Sequence, residues 1–244
     1  MRERLPYRVG YIVYTAIYIL LALLFVGVLI TSITKNAVDI CQRVGLFNWH
    51  VAGNYLGLFA GFVAYILFAV TLRVLRLGHN LNWFRRFTHE LSHTLVALLF
   101  CRKIYEFVVR GRECMVRYSS RRIGYVAITL APYCIPIYTF MLFPFRFAGD
   151  SHYMIIFDIL IAFTYAFHLH AYIEQTRLTQ PDIENCGVAR SIAYISFTNL
   201  AVLSLIIATP KGGVLNAISR VFWEYPLHIV TDPVGWIAEI SKFL

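Results

Sequence analysis

Charge is scarce in this chain. Only 14% of its 244 residues are Asp, Glu, Lys or Arg, against about 25% in an ordinary soluble domain. Hydrophobic residues make up 59% and the mean hydropathy is +0.65, which excludes a soluble single domain. At about 20 residues per membrane span, the length leaves room for roughly six helices joined by short loops. Acids are the scarcer sign: 13 stand against 22 Lys and Arg, a net charge of +9. The basic residues must crowd into the loops, where anionic lipid head groups are their natural partner. The aromatic residues lie inside apolar runs rather than on a basic soluble face, which argues against nucleic-acid binding. Cys41, Cys101, Cys114, Cys134 and Cys186 form no CxxC pair and no disulfide framework. The basic N-terminal stretch is not followed by a small-residue cleavage pattern, so the first apolar run is expected to be a retained span. Internal repeats and low-complexity linkers are lacking, so residues 1–244 read as one membrane-embedded domain of an integral, multi-pass protein.

The expected architecture is all-α with a small β element. Val9 to Thr34 and Val51 to Leu72 are charge-free and apolar all round, as lipid-embedded helices are. Between Arg73 and Arg86 lie four Arg and no acid, which predicts a cytoplasmic loop. A third segment, about Phe84 to Cys101, is short and carries His89, Glu90 and His93. After it, Ile104 to Tyr118 is β-branched and aromatic with Gly111 at its centre, the pattern of a hairpin. Ile123 to Phe145 predicts a fourth span kinked at Pro132 and Pro136. A fifth is expected from His152 to Tyr172 and a sixth from Val188 to Ala208. From Val214 onward, apolar residues at helical spacing predict an interfacial amphipathic segment.

His89-Glu90-Leu91-Ser92-His93 is His-Glu-x-x-His. On a helix its two histidines stand one turn apart on one face and can hold one zinc, leaving Glu90 beside the metal. A carboxylate there can take a proton from the attacking water and return it to the leaving amine of a peptide bond. Chance produces this motif in such a chain on the order of one time in a hundred. Three ionisable side chains in an apolar helix are also costly unless they pair or bind something. A third protein ligand is then required, with a fourth position open for water. Asp182, in the break between the fifth and sixth spans, is one candidate and Glu174 its rival; Asp158, His168 and His170 are weaker ones.

The order of parts resembles the site-2 proteases, zinc metalloproteases that cut within the membrane. An intramembrane His-Glu-x-x-His helix is followed by a β-rich stretch, a span with Ala131-Pro132-Tyr133, another span and an aspartate. The resemblance covers about residues 84–207 and leaves the spans 9–34 and 51–72 outside the shared core. It implies His89, His93 and Asp182 as zinc ligands, Glu90 as the catalytic base, and a membrane-protein or peptide substrate. The family's Leu-Asp-Gly is departed from here, since Ile183 follows Asp182. The resemblance also gives the hairpin a role: the edge of Phe107 to Val109 or of Cys114 to Tyr118 could hold an unwound substrate as an added strand.

Two rivals stand beside this reading. One is a prenyl-protein-processing type of membrane protease, with a glutamate as third ligand. The other is a non-hydrolytic membrane protein whose histidines, such as His93 and His168, bind haem or line a transport path. Simple alternation of spans also puts the basic segment Arg102 to Arg122 opposite the loop Arg73 to Arg86, and Asp182 across the membrane from the start of the third helix. Both conflicts ease if the third segment begins inside the membrane or the β stretch re-enters it.

Overall fold

The computed structural model describes residues 4–43, 49–110, 113–119, 123–148, 154–210 and 213–241. Its elements are α1 (Arg4–Arg43), α2 (Trp49–Val74), α3 (Gly78–Leu99), β1 (Ile104–Arg110), β2 (Glu113–Tyr118), α4 (Tyr125–Thr129), α5 (Ala131–Cys134), α6 (Ile137–Ala148), α7 (Met154–Gln175), α8 (Pro181–Cys186), α9 (Val188–Ala208), α10 (Gly213–Ser219), a π turn (Arg220–Glu224), α11 (Tyr225–Thr231) and α12 (Pro233–Ser241). The chain is thus mostly helical, with one two-stranded antiparallel sheet.

Four helices among the described residues are long and apolar enough to cross a membrane, where the sequence suggests six. They are Val9–Lys35 within α1, Tyr55–Val74 within α2, α7 and α9. The other two expected spans take a different form. Helix α3 has the length but carries Arg85, Arg86 and Glu90. The segment after the hairpin is broken into α4, α5 and α6. The break at Ile135 and Pro136 follows from chemistry, since proline has no N–H to continue the ladder. The Tyr133 carbonyl at this break accepts instead from the Asn199 side chain of α9 at 2.8 Å, a neighbour satisfying a backbone group that the kink exposes.

Helices α1 and α9 pack along one another, and so do α2 and α7. Edge-to-face pairs Tyr18–Tyr194 and Phe25–Phe197 stitch the first contact. At the second, a Cβ on Gly61 would run into the Ile159 backbone, so only glycine permits this approach. Between α6 and α7, Arg146 donates to both oxygens of Asp158 at 2.8 and 3.4 Å, both side chains being fully buried. The C-terminal helices bury Val214, Ala217, Val221 and Tyr225 on one side, at helical spacing, in the core that α1 and α9 share. Trp236 donates to Thr31 at 2.8 Å, while Trp223, Val230 and Val234 on the same segment are exposed.

The hairpin pairs Phe107 with Val116 and Val109 with Cys114; its expected centre, Gly111, lies outside the described residues. Both strands pack on α3. Phe107 meets Phe87 edge-to-face at 5.9 Å, and Cys114 lies against Arg86. The hairpin therefore folds back along α3 instead of continuing beyond its end.

Candidate metal centre

Helix α3 presents the motif. Its hydroxyls are satisfied within the helix: Thr88 donates to Phe84, Ser92 to Thr88 and Thr94 to Glu90, each through a backbone carbonyl one turn back at 2.8–2.9 Å. Val96 and Ala97 anchor its C-terminal half against Ile128 and Ala131. This packing brings the Ile128 carbonyl to 2.8 Å from His93 Nδ1. A carbonyl only accepts, so Nδ1 carries the proton and Nε2 presents a free lone pair, the second-shell arrangement of a ligating histidine.

Asp182 arrives from the far side on the short helix α8. Pro181 sits at the first helical position, where a missing N–H costs nothing. Ile183 and Cys186, 1% and 0% exposed, plug into a core with Leu130, Tyr133 and Ile195. Gly187 then turns the chain into α9 at φ +85, with Tyr11 packed where a Cβ would stand. Ile183, the departure from Leu-Asp-Gly, is thus the anchor that fixes Asp182.

The result is a convergence of three groups. Asp182 Oδ2 lies 3.6 Å from His89 Nε2 and 3.6 Å from His93 Nε2, and the three ligand atoms lie within 4.8 Å of one another. Zn–N and Zn–O bonds of about 2.0–2.2 Å in a tetrahedron require ligand atoms about 3.4 Å apart, so the donor set and its spacing fit one zinc. Tyr133 adds a contact that the sequence did not announce. Its hydroxyl, with one proton to share, faces Asp182 Oδ2 at 3.3 Å and Gln180 Oε1 at 3.1 Å, and its ring meets that of His89 edge-to-face at 5.5 Å. The Ala131-Pro132-Tyr133 signal pointed to a bend, and nothing in it revealed the reach of the hydroxyl.

Glu90 is buried, 8% exposed. With His89 it forms part of the wall of a polar cleft of about 480 Å³, completed by Arg86, Arg177 and Gln180. The remaining candidates lie elsewhere. Glu174 pairs with Arg85 and with His170 Nε2 at 3.2 Å, and Asp158 is held by Arg146. His168 is buried beside Tyr165. The cavity it shares with His89 is about 10 Å³, enough for one water and far too small for a haem.

A helical membrane fold with a His-Glu-x-x-His helix and a facing aspartate defines a class, that of membrane metallopeptidases. The sequence matches the family model described as Peptidase M50B-like over residues 59–175, and this match supports assignment to the site-2 protease family. Its span includes α3, the hairpin and α7 and ends before Asp182. Members of the family are in general zinc metalloproteases. No curated protein and no solved structure shows significant similarity to the chain.

Proposed function

We propose that this chain is a multi-pass intramembrane zinc metalloprotease of a cell membrane that hydrolyses peptide bonds of membrane-spanning substrates. His89, His93 and Asp182 hold the metal and Glu90 is the general base. The observation that carries the reading is the approach of Asp182 to within 3.6 Å of both imidazoles, because three donors at that spacing with an adjoining cleft make a three-ligand site with an open position. Zinc held there supplies a Lewis acid for the scissile carbonyl and acidifies water at neutral pH.

The chain's own residues supply the rest. His93, fixed by Ile128, and Asp182, fixed by Tyr133, keep the ligand atoms preorganised. Glu90 takes one proton from the attacking water as its oxygen bonds to the carbonyl carbon. It delivers that proton to the amide nitrogen as the C–N bond breaks, so one carboxylate serves as base and then acid. Strand β2 runs beside α3 with Cys114 against Arg86, which supports it as the edge that holds an unwound substrate as an added strand.

The test is Glu90→Gln. Cleavage of a membrane-helix substrate is expected to fall by about 100-fold or more, the usual contribution of a general base, while bound zinc is unchanged. Undiminished cleavage removes Glu90 from the mechanism.

A further inference from the structure

Two large grooves flank α2, and they differ in what they adjoin. One, about 690 Å³, lies toward α6 and is lined by Phe68, Phe84, Met141, Phe145 and Phe163. It shares no lining residue with the catalytic cleft. The other, about 640 Å³, lies between α2, α3 and α7, with Phe62, Ile66, Val70 and Ile173 along it and Arg85, His170 and Glu174 at its polar end. Glu174 also lines the catalytic cleft. One side chain is therefore the common wall of a lateral apolar groove and the polar chamber beside His89 and Glu90.

That wall is fastened. Glu174 accepts from Arg85, which is 5% exposed and one turn before His89 on α3. The other Glu174 oxygen faces His170 Nε2 at 3.2 Å, and His170 Nδ1 faces the Tyr65 hydroxyl at 2.7 Å. The chain Arg85–Glu174–His170–Tyr65 ties α3, α7 and α2 together across the inner end of the groove. Phe62, Ile66, Val70 and Ile173 are 43–72% exposed, an apolar rim facing lipid. One turn of a helix with its side chains, about 10–12 Å across and 5.4 Å tall, fills on the order of 400–600 Å³, so the groove accommodates about one turn.

We infer that the α2–α3–α7 groove is the docking surface for the apolar membrane segment of a substrate, and that the Arg85–Glu174 pair is the latch it must open to reach the cleft. The inference rests on the proteolytic reading above. Docking aligns the substrate with the inner end of the groove; parting Arg85 from Glu174 joins groove to cleft; the unwound segment then passes beside Glu90.

The experiment compares kcat/KM for a membrane-helix substrate with that for a short soluble peptide, in the full chain reconstituted in vesicles. Weakening the latch with Glu174→Gln is expected to raise the helix-to-peptide ratio on the order of fivefold, the worth of a partly exposed ion pair. Val70→Trp, which fills the groove from its exposed rim, should lower the ratio, and Met141→Trp in the α6-side groove should leave it unaltered. An unchanged ratio in Glu174→Gln, or a fall with Met141→Trp in place of Val70→Trp, overturns the inference. A second readout is independent of activity: a benzophenone side chain at Gln175, on the cleft wall, should form more lipid adducts in the Glu174→Gln background than without it. Equal adducts overturn the latch. If no metal-dependent cleavage occurs at all, the proteolytic reading fails while the adduct measurement still decides whether the pair separates lipid from cleft.

Discussion

At the residue scale the proposed centre divides into groups that would touch a metal and groups that aim them. On the proposed reading Asp182→Ala removes one of three ligands and is expected to cost zinc retention, whereas Glu174→Ala, whose carboxylate is engaged by Arg85 and His170, should leave metal content intact. Metal analysis of the two purified variants checks this, and the reverse result would move the third ligand. Tyr133→Phe keeps the ring against His89 and deletes the hydroxyl facing Asp182. Loss of such a partner typically lowers metal affinity or activity 10–100-fold, and a fall of about tenfold is expected in a competition titration with a zinc chelator. Sequence sufficed to single out His89, Glu90 and His93 as candidates because their relation is local, set by the helical turn. Sequence left Asp182 and Glu174 as rivals, with the order of parts favouring Asp182, and the structure adds a contact no spacing reveals: Arg85 engages Glu174.

Elements carry the next layer. Helix α8 is six residues long, too short to be stable alone, and it is held by Ile183 and Cys186 in the core. The Arg146–Asp158 pair performs a similar service between α6 and α7, where both charges are buried and each depends on the other. Asp158→Ala strands the guanidinium and should destabilise the fold by about 3–5 kcal/mol, whereas replacing both partners with apolar residues of similar volume should cost much less. Thermal unfolding in detergent of the single and double variants measures the difference. Sequence periodicity located α1, α2, α7 and α9 because a lipid-embedded helix needs apolar residues all round. It rendered residues 123–145 as one kinked span, since proline marks a break without saying how far the chain is displaced by it. At that break the Tyr133 carbonyl takes its partner from Asn199 of a distant helix.

On the scale of the whole molecule, the large exposed side chains of α1 and α2, such as Ile12, Leu20, Phe59 and Leu67, form the surface that a membrane covers. Arg86, His89 and Glu90 of α3 meet Gln180 and Pro181, where α8 begins, around one cleft. Helix α3 carries the charges of the candidate site, and both strands of the hairpin pack on it. The central claim is that two imidazoles and one carboxylate from a distant helix hold a single zinc. X-ray absorption at the zinc edge, with metal content per chain, tests it most directly. The expected result is about one zinc per chain in a shell of nitrogen and oxygen donors at about 2.0–2.2 Å, lost in Asp182→Ala. A purified, folded protein that binds no zinc, or one whose zinc shell is the same in Asp182→Ala, would contradict it.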